Sequence, residues 1–218
     1  MTSLKPPPQG HLDTPLSIVG LQQAQAVAGH LAEQPFSLAI SSDLQRAAQT
    51  GEAIVAANPS LSSLARWEVA RERCFGEFEG RPAETLIGAV SGRRGEELAN
   101  WGPKGGETGR QFRARVKQFT GQLCGAVNTL ELDKPVVVLV TTHGGFIKEF
   151  NAMLVEEHGC LMPGKKGESG RICPNTGVSR YLLELGGEGG LAGAECTQLH
   201  YREHLGSLEG PEPVLYGV

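Results

Sequence analysis

The stretch 136–145, Val-Val-Val-Leu-Val-Thr-Thr-His-Gly-Gly, indicates the fold class of this chain. Residues 136–141 are apolar and mostly β-branched, with no alternation of polar and apolar positions. A strand of this kind is buried on both faces, which is typical of a parallel sheet covered by helices. We therefore predict a strand over 136–141 that leads through 142–145 into a helix over 146–155.

Outward from this stretch, strand-length apolar runs alternate with segments of helical periodicity. Ser17 is the predicted N-cap of the first helix, and Ser41, Ser42 and Asp43 supply that of the second. The alternation predicts an α/β protein with a largely parallel sheet. The other predicted strands are 36–40, 64–69, 178–185 and 196–201, and the other predicted helices are 21–31, 44–57 and 111–130.

The length and charge of the chain exclude several classes of protein. It has 218 residues, with 20 Lys and Arg against 24 Asp and Glu, a net charge of −4 and a pI near 5.9. The length suits one domain. A nucleic-acid or anionic-membrane partner needs a concentrated basic surface, so we expect neither. No apolar run approaches the roughly 20 residues that span a bilayer.

The N-terminal residues and the cysteines favour a cytoplasmic location. Residues 1–8 lack the apolar core of a signal peptide. The five cysteines are odd in number and widely spaced, with no Cys-x-x-Cys pair and no histidine cluster of zinc-site spacing. We therefore expect free thiols in a reducing compartment and no metal site.

Polar residues just past the predicted strands are the candidates for a functional site, because ligands bind at the carboxyl ends of strands in open α/β sheets. Arg46 lies one turn into a helix whose N-terminal amides could hold an anion, although a first-turn arginine is commonly a solvated surface charge. Glu72 lies between Arg71 and Arg73, a pattern that is usual in surface ion-pair clusters. Neither residue decides the function by itself.

His143 is the third candidate, because it follows the strand predicted over 136–141. Gly144 and Gly145 come next, and their missing side chains let a ligand approach the backbone closely. A buried, hydrogen-bonded core histidine is the alternative interpretation at this position. The glycine pair favours a site.

In their order along the chain, these stretches resemble the histidine phosphatase superfamily, which has the phosphoglycerate-mutase-like fold. The resemblance extends from Gln9 to about Leu208, and 174–179 with His204-Leu205 is similar to the fructose-2,6-bisphosphatase subgroup. The other matching motifs are Gln9-Gly10, Pro15-Leu16-Ser17, 20–24, Ser41-Ser42-Asp43-Leu44 with Arg46 and Thr50, Arg71-Glu72-Arg73 with Phe75-Gly76 and Glu79-Gly80, 105–108, and 142–145.

The resemblance implies a three-layer sandwich, with helices on both faces of a mostly parallel sheet. It implies one domain over 9–208 between irregular tails at 1–8 and 209–218, and a small-molecule phosphate ester as substrate, without a cofactor. Glu72 would be the general acid that protonates the leaving alkoxide, and His143 would donate to the phosphoryl oxygens. Arg46 would bind the phosphate, and Gly144 would line the substrate site.

The family's nucleophile is the point at which this sequence departs from the pattern. In the family, a histidine in an Arg-His-Gly motif at the end of the first strand forms a phosphohistidine. No Arg-His-Gly occurs in the 218 residues, and we expect neither His11 nor His30 to substitute for it. We predict an irregular, exposed segment before Gln9, and a gap in the sheet beside 36–40 or 136–141.

Two functions follow from this pattern. The first is a sugar-phosphate or glycerate-phosphate phosphatase whose N-terminal segment is missing, so that the chain as given is impaired. The second is a non-catalytic pseudophosphatase that keeps Arg46 and His143 to bind a phosphorylated ligand or a protein partner. Glu72 favours the first, because a pure binding protein has no use for a general acid. The pattern predicts neither the exact substrate nor the oligomeric state.

Overall fold

A computed structural model of the chain describes residues 6–130, 135–164, 167–187 and 189–208. Their strands are β1 (Leu38–Ser42), β2 (Ala65–Trp67), β3 (Val138–Thr141), β4 (Val178–Leu185) and β5 (Leu191–Tyr201). Their α-helices are α1 (Ile18–Leu31), α2 (Gln45–Ala57), α3 (Ala83–Val90), α4 (Gly95–Asn100), α5 (Gly109–Asn128) and α6 (Gly144–His158). Short 3-10 helices span Glu68–Ala70, Gly76–Phe78, Glu168–Gly170 and Glu203–Leu208.

The three strands β2, β1 and β3 form a parallel sheet with β1 in the centre. Ile40 of β1 pairs with Ala65 on one side and with Val140 on the other. Because all three strands run the same way, their carboxyl ends share one edge, and the segments after them carry Arg46, Glu72 and His143. The predicted parallel sheet is confirmed.

Helices cover both faces of this sheet, as predicted for three layers. Ala39 and Leu139 pack against α1 and α2 on one face, where the buried side chains include Val27 and Ile54. Ile40 packs on the opposite face against α5 and α6. The buried side chains of that second cluster include Phe112, Val116, Phe119, Phe146, Phe150 and Leu154.

The strands β4 and β5 form a separate antiparallel hairpin. Within the described ranges, β3 has a ladder only with β1, so its other edge has no strand beside it. The hairpin side chains Tyr181 and Leu183 still pack against the core on the α5 and α6 face. Among the described residues the parallel sheet thus ends at β3, beside 136–141, which is one of the two places where a gap was predicted.

The helix caps show where local sequence reasoning succeeded and where it failed. Ser17 caps α1 as predicted, because its Oγ accepts a hydrogen bond from the Gly20 amide. The N-cap predicted at 41–43 is wrong, because Leu44 is the N-cap residue of α2 and makes no side-chain capping bond. Asp13 supplies the carboxylate for the first amide of α2, with Oδ1 2.6 Å from the Gln45 nitrogen.

The segment before Gln9 differs from its prediction at one residue. Pro6 and Pro7 are irregular and exposed, whereas Pro8 is buried and its carbonyl accepts a hydrogen bond from the Gly80 amide. The rest of the tails predicted at 1–8 and 209–218 lies outside the described residues. All five cysteines carry free thiols, as predicted. Among the helices described, none has both the length and the apolarity that crossing a membrane requires.

Candidate active site

Glu72 follows β2 in the sequence, and its side chain reaches the first turn of α6. Its Oε1 accepts a hydrogen bond from the Arg73 amide, and its Oε2 accepts one from the Gly145 amide, each at 2.9 Å. The second bond uses a backbone donor in the first turn of α6, where the helix leaves its amides unpaired. The carboxyl group is thereby held beside His143, the N-cap residue of α6.

Burial raises the pKa of Glu72, because the charged carboxylate loses its hydration. The two backbone hydrogen bonds and the charges of Arg46 and Arg115 oppose this shift without cancelling it. A buried carboxyl group with a raised pKa has the property that a general acid needs. Glu72 is therefore neither exposed nor part of a surface ion-pair cluster.

His143 is buried, and its Nε2 lies 2.8 Å from the Ser42 hydroxyl at the end of β1. Burial lowers its pKa well below 6.5, and the charges of Arg46, Arg115 and His11 lower it further. The ring is therefore neutral at neutral pH. This burial also fits the alternative of a core histidine, but the positive charges around the ring distinguish it from an ordinary core position.

Arg46 binds the backbone of the turn at residues 10–12. Its Nη1 donates to the Leu12 carbonyl and its Nη2 to the Gly10 carbonyl, each at 2.8 Å. The Glu79 carboxylate completes this Arg46 clamp, which we define as Arg46, Glu79 and residues 10–12, by accepting the His11 amide. Burial lowers the pKa of Arg46, and the carboxylates of Glu72, Asp13 and Glu79 oppose the shift. The guanidinium thus has a structural role beside its predicted one.

The two glycines after His143 are required by packing. A Cβ on Gly145 would overlap the Glu72 carboxylate, and a Cβ on Gly144 would overlap Ile172 and lie 2.9 Å from the Cys173 carbonyl oxygen. The space beside the Gly144 Cα is thus filled by the protein itself. The substrate-binding role of Gly144 stays a prediction.

A second arginine, which sequence reasoning missed, holds the segment that carries Glu72. Arg115 of α5 donates to both oxygens of Glu107 and to the carbonyls of Val69, Arg71 and Glu72, with the five bonds between 2.6 and 3.1 Å. Glu107 in turn accepts the Cys74 amide at 2.9 Å. We call Arg115, Glu107 and residues 69–74 the Arg115 clamp. Nothing in the sequence separates Arg115 from the other basic residues of α5.

The two arginines that flank Glu72 have structural partners. Arg71 forms a bidentate ion pair with Asp43, and Arg73 is buried with its guanidinium on the Glu107 and Trp101 carbonyls. His11, set aside in the sequence analysis, lies in the site with its Nε2 2.9 Å from the Glu72 carbonyl oxygen. No cluster of three metal-ligating side chains is present in the part of the chain that the structure describes.

Together, these contacts place the predicted residues at one edge of the sheet. Glu72 contacts the first turn of α6, His143 caps that helix, and the charge of Arg46 affects the pKa values of both. A neutral imidazole, a buried acid and a guanidinium at one edge of the sheet suit the binding and protonation of a phosphate ester.

Comparison with known proteins agrees with this chemistry. Residues 3–184 match the histidine phosphatase superfamily (branch 1). Fructose-2,6-bisphosphatase TIGAR B of Danio rerio is 32% identical, over 92% of this chain and 90% of the relative. Glucosyl-3-phosphoglycerate phosphatase of Mycobacterium tuberculosis is 32% identical, over 68% and 67% of the two chains.

The fold has a close match among solved structures. A mycobacterial glucosyl-3-phosphoglycerate phosphatase superposes with a TM-score of 0.71 over 90% of this chain and 92% of that chain, at 24% identity. The family match covers most of the chain and includes Arg46, Glu72 and His143. This chain is a member of the histidine phosphatase superfamily.

Proposed function

We propose that this site hydrolyses the phosphate monoester of a small sugar or glycerate, with fructose-2,6-bisphosphate as the first candidate substrate. Two kinds of relative support this choice, since one is named for fructose-2,6-bisphosphate and the other for a glycosylated phosphoglycerate. The observation that carries the proposal is the buried Glu72 carboxyl group, with its raised pKa, fixed to the first turn of α6 beside His143.

Each residue has a distinct role in the proposed reaction. Among the described residues, Arg46 uses two of its N–H groups for the clamp, and the other three are available for phosphoryl oxygens. His143 donates to a phosphoryl oxygen as negative charge builds there. Glu72 gives its proton to the alkoxide oxygen as the P–O bond breaks, and the retained backbone bonds then stabilise the resulting carboxylate.

The nucleophile limits what the 218 residues do alone. The family's reaction passes through a phosphohistidine, and the Arg-His-Gly motif that supplies it does not occur in this sequence. We therefore propose that the chain as given binds phosphate esters but is impaired in the covalent step. Enzymes stripped of their nucleophile keep about 10³–10⁴-fold acceleration over water, which is small beside accelerations of roughly 10⁶-fold and more.

The test compares this chain with a variant that carries Leu-x-Val-Arg-His-Gly ahead of Gln9. Phosphate release from fructose-2,6-bisphosphate and trapping of a phosphoenzyme are measured for both. We expect little turnover by the chain as given and a large gain in the variant, which Glu72→Ala or His143→Ala then reduces. Ordinary phosphatase rates with a burst of phosphoenzyme in the unextended chain would contradict the impairment.

A non-catalytic binding protein is the second candidate, and the absent Arg-His-Gly motif favours it. Arg46 and His143 would then hold a phosphorylated ligand or partner without turnover. The same pair of proteins separates the two functions. Phosphate binding by both, with no turnover by the extended variant, would support the binding protein and contradict the phosphatase.

A further inference from the structure

The turn at residues 10–12 is fixed from several directions although it lies near the surface. The His11 amide donates to Glu79 Oε1 at 2.8 Å, and Arg46 donates to the carbonyls of Gly10 and Leu12 on either side of His11. Gly10 has a φ of +50°, a conformation that favours glycine. The backbone of His11 is therefore held in one position before any ligand binds.

The ring of His11 is also oriented. Its Nε2 lies 2.9 Å from the Glu72 carbonyl oxygen, and a carbonyl oxygen only accepts, so Nε2 carries the hydrogen. In the neutral ring the lone pair is then on Nδ1. Within the described ranges, Nδ1 has no hydrogen-bond partner, and it is not enclosed by protein. One nitrogen is fixed to the site and the other is available.

Two observations place this ring near Glu72 and His143. It is bonded to the backbone of Glu72, whose side chain reaches the first turn of α6 beside His143. The pKa of His143 is lowered mainly by burial, and the charge of His11 contributes with those of Arg46 and Arg115. His11 is thus close enough for its charge to act on the second imidazole.

We propose that His11 is a further substrate-binding residue, and that its Nδ1 contacts the phosphoryl group of the ester. The inference rests on the proposed phosphatase or phosphate-binding site. In the imidazolium form both ring nitrogens donate hydrogen bonds. Nε2 then keeps its bond to the Glu72 carbonyl, while Nδ1–H donates to a phosphoryl oxygen. His11 thereby adds a donor to those of Arg46 and His143.

A merely structural role for His11 gives the opposite result in a pair of isosteric variants. His11→Gln places an amide nitrogen near the Nε2 position, which keeps the bond to Glu72 and removes the donor at Nδ1. His11→Asn places an amide nitrogen near the Nδ1 position, which keeps the proposed phosphate contact and removes the bond to Glu72. Ligand affinity in the two variants therefore identifies the nitrogen that matters.

The experiment is a calorimetric titration of the 218-residue chain with inorganic phosphate at one fixed pH. We expect His11→Gln to bind at least about tenfold more weakly than the wild type, as for loss of one charge-assisted hydrogen bond. His11→Asn should stay within about threefold. His158→Gln, at the far end of α6, is the matched control and should bind like the wild type. Thermal unfolding of each variant checks its fold.

Every other outcome overturns the inference. Unchanged affinity in His11→Gln shows that Nδ1 makes no phosphate contact, and weak binding by His11→Asn alone assigns a structural role to the ring. In both cases the proposed function stands if His143→Gln weakens phosphate binding. If the wild type binds no phosphate, or His143→Gln binds it equally well, the proposed site itself is wrong.

Discussion

The Arg115 clamp and the Arg46 clamp have the same parts and differ in how fully the arginine is used. In each, a guanidinium donates to backbone carbonyls and a glutamate accepts backbone amides. Arg115 uses all five N–H groups and pairs directly with Glu107, at 14% and 19% side-chain exposure. Arg46 uses two N–H groups and forms no ion pair with Glu79 among the described residues.

This difference separates a structural arginine from a candidate ligand-binding one. A guanidinium whose N–H groups are all hydrogen-bonded has no donor left for an anion. One with three free N–H groups binds phosphate without breaking existing hydrogen bonds. The Arg115 clamp therefore fixes the Glu72 segment, and the Arg46 clamp fixes the His11 turn while it keeps capacity for substrate. The following variants test this division.

Removal of Arg115 should have the largest effect on stability. Arg115→Met removes the ion-pair partner of the mostly buried Glu107 carboxylate and one hydrogen bond from each of three carbonyls, so we expect a loss of about 3–5 kcal/mol in the free energy of unfolding. Urea denaturation measures it. Arg110→Met on the same helix removes an exposed pair with Glu96 and should leave the free energy of unfolding nearly unchanged. Similar losses in the two variants would contradict the clamp.

A methyl group on Gly145 should cause the second largest loss of stability, because it displaces the Glu72 carboxyl group that the Arg115 clamp positions. Gly145→Ala overlaps Glu72 and removes the acceptor of a helix amide, so we expect a loss of about 1–3 kcal/mol and weaker phosphate binding. Gly121→Ala in α5 is the control. Nothing lies within 4 Å of a Cβ there, and the change should stabilise the helix by about 1 kcal/mol.

Arg46→Met should cost less stability than Arg115→Met, and more ligand affinity. It removes two hydrogen bonds to carbonyls, or about 1–2 kcal/mol of unfolding free energy. The affinity for inorganic phosphate should fall by about tenfold or more. Denaturation and calorimetry on the same samples give both numbers. An Arg46→Met protein that is destabilised yet binds phosphate normally would reduce Arg46 to a structural residue.

The smallest effect concerns the titration of His143. Burial lowers the pKa of His143 most, the charge of Arg46 comes second, and the charge of Arg115 comes third. Arg46→Met should therefore raise the pKa of His143, whereas Arg46→Lys should change this pKa little. The pKa of His143 is lower in the folded protein than its unfolded value of about 6.5. The contribution of His143 to stability is therefore fully present above that pH and is lost as the pH falls below it. Arg46→Met should make this acid loss smaller. NMR titration of the ring and unfolding at several pH values provide the measurements.

Much of the fold could be predicted because its signals are local. The run at 136–141 and the Ser17 cap depend on neighbouring residues only, and both predictions are confirmed. The N-cap at 41–43 failed because Asp13, which is distant in sequence, occupies the first amide of α2. The helices α3 and α4 were missed, since segments of eight and six residues are too short for helical periodicity to be recognised.

The candidate site was predictable where a residue follows a predicted strand and also falls in a family motif. Glu72, His143 and Arg46 were found in this way, and the structure supplies the burial and hydrogen bonds that no pattern contains. Arg115 could not be found, because Arg113 and Lys117 have the same character in the helix and pair with carboxylates elsewhere. His11 was set aside on its position in the sequence, and a turn closed by Arg46 brings it to Glu72.

The open edge of β3 has a consequence for the behaviour of the chain in solution. In a parallel ladder, successive residues of a strand direct their amides to opposite neighbours. With β1 on one side and no described strand on the other, amide hydrogen exchange along Val138–Thr141 should alternate between slow and fast residues. An apolar strand with such an edge is also a template for strands of other molecules. We therefore expect this protein to associate in a concentration-dependent way, which light scattering measures.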